Sequence, residues 1–407
     1  MSAPDVTPGS LEADSLLLPD YDGGSIVNVA ASILDAFGVE SPSPPLRPNL
    51  LPAGGLAGSG GTVLLVLDAL GAAQLDAALA TGRIPQLARL IERAPGGLQR
   101  ITSIFPSTTT AALNSLATAC SPSQHGILGH MLWFEEIGAV VNMLTLCPIG
   151  SNQPIPEDMV RRVSTIYQRL AAAHVPSTLI SDDAFTGTAF TNILAEGARY
   201  AGYHGLSQIS YQLELALRAA RKPGFYSLYW PLIDTLSHYH GPDHVGTPSE
   251  ACLTEMEFVD LMVGKVAEVC TRWGCTLAVI ADHGQARLQP ECAVELSRHL
   301  SACLSHPPCG ARRAPYLAGV DVARIHADPG LKDAIQLAIS TEDAVHAGWF
   351  GGPCDGLVSR LGDTILLASE GVQFLHDYGR GTFAHSGSHS GMSRHEMLVP
   401  LIVAPGD

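Results

Sequence analysis

A chain of 407 residues with a formal net charge of −16 and no Lys/Arg-rich block repels nucleic-acid backbones at long range, which excludes binding a nucleic-acid polymer as its main task. An apolar fraction of 46% against 15% charged residues supplies a large core, yet apolar runs such as VLLVL are far too short to span a bilayer, so no membrane role is expected. The acidic start MSAPDVTPGSLEADSLLLPD lacks the basic and apolar stretches of a signal peptide, and nine cysteines without paired metal spacing read as reduced thiols, so a cytoplasmic protein is expected.

Ile26, Val29, Ala30, Ile33, Leu34 and Phe37 keep the i, i+3, i+4, i+7 spacing of an amphipathic helix. The run VESPSPPLRPNLLPAGGLAGSGG reads as a connector. Its glycines precede a strand instead of following one, and the Gly-Lys-Ser/Thr ending of a phosphate loop is missing. TVLLVLDALG is the first strong strand; GGLQRITSIF, PSTLISD, GFYSLYWPLID and CTLAVIAD follow, with a helical pattern from Leu253 to Val269 before the last. Strands that alternate with helices predict a wound α/β sheet. Residues 286–380, with short alternating pieces such as DGLVSRLGDTILLAS, read as an inserted α+β lobe, and MLVPLIVAP as a strand returning to the main sheet. The expected organisation is a helix and Pro/Gly-rich lead-in over 1–60, an α/β core over 61–285, the insertion over 286–380 and a return to the core over 381–407.

Three of the predicted strands end on an aspartate: VLLVLDALG on Asp68, SLYWPLID on Asp234, and LAVIADHG on Asp282 with His283 next to it. In a parallel sheet the carboxyl ends of the strands open onto one crevice, so these carboxylates can converge. The four-residue step from Asp234 to His238 sets carboxylate and imidazole on one helical face. AHSGSHSGMSRHEMLVPL offers His385, His389 and His395 in or beside a Gly/Ser loop that leads into the last strand. Carboxylate and imidazole without thiolate suit zinc, manganese or iron in a hydrolytic site, and there are enough of these side chains for two ions, the arrangement that clamps both oxygens of a phosphoryl displacement. The stripe Leu113, Leu116, Ala117 and Cys120 predicts a helix starting close to Thr109 in FPSTTTAAL, with its first N–H groups facing an anion. A threonine hydroxyl there serves as helix cap and as nucleophile.

VLDALG, FPSTT followed by SPSQHGILGH, DTLSHYHGP, IADHG and GSHSGMSRHEMLVP stand in this order from about residue 61 onward. Together they resemble the alkaline phosphatase superfamily, and within it the type I phosphodiesterase/nucleotide pyrophosphatase family. The resemblance implies an alkaline-phosphatase-like α/β sandwich, with a mostly parallel central sheet flanked by helices and a smaller α+β cap at 286–380. It implies two divalent ions, zinc first with manganese or iron as alternatives. Asp68, Asp282, His283 and the Thr109 oxygen would hold one; Asp234, His238 and His389 would hold the other, His389 being preferred to His385 and His395 for its place in the loop. Thr109, the fifth residue of FPSTT, would form a phospho-threonine. His130 stands where the family usually has an asparagine that binds a phosphate oxygen, so the implied phosphate contact is an imidazole. The implied activity is hydrolysis of a small phosphate ester, a nucleotide among the candidates, by a phosphodiesterase or nucleotide pyrophosphatase. A phosphomonoesterase or phosphonate hydrolase would use the same site, and a non-catalytic metal-dependent binding protein is a third reading. The nucleophile motif has no arginine to hold a dianionic monoester, which favours diesters, and no C/S-x-P-x-R element for a sulfatase.

Overall fold

The computed structural model describes residues 16–379 and 381–406, so most of the N-terminal stretch on which the expectation of no signal peptide rests lies outside the described residues. Among those described, no helix is long and apolar enough to cross a membrane.

The central sheet has seven strands in the order Leu98–Thr102, Leu398–Ala404, Cys275–Ile280, Gly61–Leu67, Gly224–Trp230, Ser177–Asp182 and Arg199–Tyr203. All run parallel except Leu398–Ala404, which is antiparallel to both neighbours. Every residue of Gly61–Leu67 and Cys275–Ile280 is buried, as expected of strands covered on both faces, which is why they read as unbroken apolar runs. Ile26–Ala36 packs on Thr109–Thr118, while Glu250–Trp273 packs on Leu206–Ala219, Pro85–Arg93 and Leu232–His240. This is the helix-flanked, mostly parallel sheet that the sequence implied.

Two elements differ from the sequence reading. The strand through GFYSLYW stops at Trp230, because Pro231 has no N–H for the ladder and takes a helical backbone (φ −94°, ψ −16°); Asp234 therefore sits inside the helix Leu232–His240, not at a strand end. Arg199–Tyr203 forms an edge strand that carries no apolar run, being largely exposed or half-buried.

A second, antiparallel seven-stranded sheet runs Ile335–Ser340, Thr364–Ala368, Ala314–Leu317, Cys309–Ala311, Met131–Phe134, Ala139–Asn142 and Cys147–Pro148. Three of its strands come from residues 131–148, joined to the rest where Gly310 pairs with Met131. Its core reaches the FPSTTT loop, with Phe105 against Trp349 and Phe350 at ring distances of 4.9 and 5.3 Å. A buried ion pair, Arg313 with Glu396 at 2.8 Å, ties this sheet to the segment just before the last central strand.

Candidate active site

Asp68 follows the Gly61–Leu67 strand and Asp282 the adjacent Cys275–Ile280 strand, so parallel pairing delivers both to one edge. Ala69 turns into the left-handed region (φ 62°), and its N–H donates to Asp282 Oδ1 at 3.1 Å. The His283 N–H donates to the same oxygen at 3.0 Å. With Oδ1 committed, Asp282 Oδ2 faces His283 Nε2 at 3.4 Å. The Tyr229 hydroxyl donates to Asp68 Oδ2, and Asp68 Oδ1 lies 3.5 Å from the same imidazole nitrogen. Asp68 Oδ1 and Asp282 Oδ2 are buried and have no hydrogen-bond partner among the described residues.

Three histidines are oriented in the same way. Nδ1 lies 3.0 Å from the Gly284 carbonyl in His283, 2.9 Å from that of Gly387 in His238, and 2.8 Å from that of Ser107 in His389. Each Nδ1–H therefore donates to backbone, and each Nε2 is left with its lone pair toward the site. Asp234 stands between two of them, Oδ2 at 3.2 Å from His238 Nε2 and Oδ1 at 3.6 Å from His389 Nε2, and its Oδ1 also accepts from Gln285 Nε2 at 2.6 Å. Asp68, Asp282 and His283 offer ligand atoms all within 4.8 Å of one another, and so do Asp234, His283 and His389. The His283 and His389 rings stack at 3.8 Å, so the two groups adjoin. The six residues singled out in the sequence thus come together, with His238 on the outer oxygen of Asp234 and His283 between the two sets.

The three threonines are not equivalent. The hydroxyl cap expected at Thr109 is not formed: the N-cap position of the helix Thr109–Thr118 falls to Thr108, which is 2% exposed and makes no side-chain capping bond, while Thr110 is fully buried, its hydroxyl donating to the Gly129 carbonyl at 3.0 Å. Thr109 alone is partly accessible, its Oγ1 3.1 Å from His283 Nε2. The first i→i−4 bond of the helix runs from Ala112 to Thr108, so the N–H groups of Thr109, Thr110 and Ala111 precede the ladder.

Burial, then the charges of Asp282 and Asp234, push the Asp68 carboxyl well above the usual carboxylate range. Burial acts the same way on Asp234, but the imidazoles of His238, His389 and His283 outweigh it and hold that carboxyl low. His389 is driven well below the ordinary imidazole range by burial and then by His283. Among the described residues no lysine or arginine pairs with Asp68, Asp234 or Asp282. Converging carboxylate oxygens and imidazole lone pairs, two of the oxygens orphaned, have the chemistry of a divalent-cation site, so these residues fit the expected ions.

Two cavities meet this centre. One, of about 380 Å³, is lined by Thr108, His130, His238, His385, His389 and Arg312. The other, of about 430 Å³, has Asp68, Thr109 and Asp234 on its wall and is otherwise largely apolar, with Leu113, Leu116, Phe190 and Phe225. His130 faces the first cavity; burial, then the charges of Arg312 and His238, push its imidazole down to about 4, so it is neutral. His385 lines the same cavity, its ring 4.5 Å from that of His238, whereas His395 lies on the turn Arg394–Met397 and lines neither cavity. Tyr229, Gln285 and Arg312 escaped the sequence reading. A strand tyrosine reads as core and an amide next to IADHG is no metal ligand by type, so only the fold reveals their partners.

A model of the type I phosphodiesterase/nucleotide pyrophosphatase family matches residues 62–392. No curated protein matches the chain. Among solved structures, phosphonoacetate hydrolase from Sinorhizobium meliloti 1021 in complex with phosphonoformate superimposes with a TM-score of 0.64 at 19% identity, over 86% of this chain and 90% of that one. An inactive variant of murine ectonucleotide pyrophosphatase/phosphodiesterase 5 in complex with AMP gives 0.62 at 14%, over 83% and 86%. The human form of that protein gives 0.61 at 14%, over 84% and 87%. With the family match spanning most of its length, the chain belongs to the type I phosphodiesterase/nucleotide pyrophosphatase family of the alkaline phosphatase superfamily and is a hydrolase of phosphoesters.

Proposed function

We propose that this protein is a two-metal phosphodiesterase or nucleotide pyrophosphatase that works through a phospho-threonine at Thr109. The observation that carries the reading is the position of Thr109 Oγ1, 3.1 Å from His283 Nε2 of the ligand cluster and on the wall of one cavity, while its neighbour Thr108 lines the other. A diester places an organic group on each side of phosphorus, and each cavity is of a size that holds one; a monoester would leave one of them idle. The similar structures hold small phosphorus compounds, phosphonoformate in one and AMP in the other.

Asp68, Asp282, His283 and the Thr109 oxygen would hold one divalent ion and Asp234, His238 and His389 the other, zinc first, with manganese or iron as alternatives. Bound there, the pair would draw off the charge that develops on the attacking and leaving oxygens. Thr109 Oγ, its proton passed to solvent water, attacks phosphorus in line as the bond to the leaving oxygen breaks, and that oxygen leaves with the electron pair and takes up a proton from water. The N–H groups at the start of Thr109–Thr118 and the neutral His130 ring donate to the phosphoryl oxygens. Water then displaces Thr109 from the phosphoryl group, and two inversions give net retention at phosphorus.

The test compares bis-p-nitrophenyl phosphate with p-nitrophenyl phosphate on zinc- or manganese-loaded protein, and on Thr109→Ala and Thr109→Ser. Diester preference is expected, with kcat down at least about a thousandfold in Thr109→Ala and partly kept in Thr109→Ser. A strong monoester preference overturns the diesterase assignment, and full activity in Thr109→Ala overturns the nucleophile.

A further inference from the structure

Ser107 stands two residues before Thr109 and is fully buried. A serine just ahead of a helix commonly turns its hydroxyl onto the N–H groups of the first turn. This one instead reaches residues 282 to 284 positions further along the chain. Its Oγ donates to the Gly391 carbonyl at 2.8 Å and accepts from the Ser390 N–H at 3.1 Å, while its own carbonyl accepts from His389 Nδ1–H at 2.8 Å. Three consecutive residues of the loop that carries His389 are thus bonded to one residue of the nucleophile loop.

The His389 loop does not take its shape by default. Ser390 is held at φ 97°, a region that residues other than glycine rarely occupy and that persists where surrounding bonds impose it. Its N–H to Ser107 and its hydroxyl to the His389 carbonyl are such bonds. The Gly391 N–H donates to Glu396 Oε1 at 2.8 Å, and a Cβ at Gly391 would meet that carboxylate at 2.8 Å, so the loop is gripped by Ser107 and by the Arg313–Glu396 pair. The contacts close on themselves. Thr109 Oγ1 lies 3.1 Å from His283 Nε2, the His283 ring stacks on that of His389 at 3.8 Å, His389 Nδ1 bonds the Ser107 carbonyl, and Ser107 leads through one residue back to Thr109. In such a ring the nucleophile cannot shift relative to His389 without breaking a buried bond.

We propose that Ser107 is a positioning residue that locks Thr109 to His389, so that one hydroxyl sets both the place of the nucleophile and the orientation of a ligand to the ion beside Asp234. This rests on the roles given above to Thr109 and His389. Ser107 lines neither cavity, so it acts through the backbone of residues 389–391 and not on substrate. Removing its hydroxyl leaves the Gly391 carbonyl and the Ser390 N–H buried without that partner. It also takes away a bond that imposes the strained backbone next to His389, which lets the imidazole turn from the site.

Zinc titration against a chromophoric chelator and steady-state kinetics on Ser107→Ala test it, with circular dichroism confirming the fold. The ion that His389→Gln weakens marks the site beside Asp234. Ser107→Ala should weaken that same ion about 10- to 100-fold and leave the other within about threefold. At saturating zinc, kcat for bis-p-nitrophenyl phosphate should stay down by about 10- to 100-fold with KM within about threefold, because Thr109 is displaced as well. In the double variant Ser107→Ala/His389→Gln that ion should bind within about threefold of His389→Gln alone, since Ser107 acts on it only through His389. Ser107→Cys keeps the shape with a weaker donor, so it should fall between parent and Ser107→Ala, and it replaces the alanine variant if that folds poorly. Unchanged zinc affinity, equal weakening of both ions, losses that add in the double variant, or full kcat at saturating zinc each overturn the proposal. If the parent hydrolyses no ester while the selective, non-additive loss of zinc is present, the hydrolase reading fails and the link between Ser107 and His389 stands. A parent protein that takes up no zinc overturns both.

Discussion

Tyr229 tests how far the proposed metal centre depends on a residue that would never touch an ion. Its hydroxyl is the one hydrogen-bond donor to the Asp68 carboxylate among the described residues, reaching Oδ2 while Oδ1 is left toward His283. Burial, then the charge of Asp68, raise the phenol well above its usual range, so it stays a donor at any working pH. Tyr229→Phe keeps the ring and strips a carboxylate that is 2% exposed of that bond. A hydrogen bond to a charged acceptor contributes about 1.5–3 kcal/mol, and about 1.4 kcal/mol is a factor of ten, so the ion beside Asp68 should bind about 10- to 150-fold more weakly. Zinc titration against a chromophoric chelator reads this directly, with two ions per chain resolved in the parent protein. The Asp68 ion should weaken while the one beside Asp234 keeps its affinity within about threefold, and activity should return at saturating zinc. Unchanged affinity, or equal weakening of both ions, would refute the argument, since the second outcome means general damage to the core.

Other perturbations address the frame and its charges. Stripping the metals with EDTA should abolish hydrolysis and lower the thermal midpoint, because Asp68, Asp234 and Asp282 then repel one another without a counter-charge, and zinc or manganese should restore both. Glu396→Gln breaks the buried pair with Arg313, whose side chains are 0% and 3% exposed, and should cost about 3–5 kcal/mol in urea denaturation. His125, hydrogen-bonded to Ser115 and buried, is held neutral, burial pushing its imidazole down to about 3 against about 6.5 in the unfolded chain. The unfolded state thus binds the extra proton between these values, so the stability this group contributes is complete above about pH 6.5 and falls by up to about 1.4 kcal/mol per unit as pH drops toward 3. The stability difference between parent and His125→Gln should shrink over that window in urea titrations; a constant difference contradicts it.

The parts of the site that the sequence made legible are those that local pattern determines. Asp68 and Asp282 each follow a run of apolar residues buried on both faces, and parallel strands deliver their ends to one edge. His238 follows Asp234 by one helical turn, a relation that survived the misplacement of Asp234 at a strand end because only the helical spacing matters. The illegible parts are those whose meaning is tertiary. Met131–Phe134 and Ala139–Asn142 look like short local strands, and only pairing with Cys309–Ala311 makes them part of the second sheet. Arg312 and Arg313 are indistinguishable in the string ARRAP. Arg313 is neutralised by a glutamate about eighty residues away, and Arg312 pairs with no carboxylate among the described residues.

Charge balance joins these observations. Three carboxylates converge here, Asp68 and Asp282 buried after central strands and Asp234 half-buried inside its helix; among the described residues no lysine or arginine pairs with them, while the Nδ1 atoms of the three nearest imidazoles are spent on backbone carbonyls. That half of the site carries a negative excess that folding alone does not relieve, and divalent cations do so. Arg312, on the wall of the cavity that His238 and His389 also line, pairs with no carboxylate among the described residues, although its neighbour is paired. The two deficits have opposite sign. Divalent cations would relieve the first, and an anionic substrate entering the cavity that Arg312 lines would relieve the second.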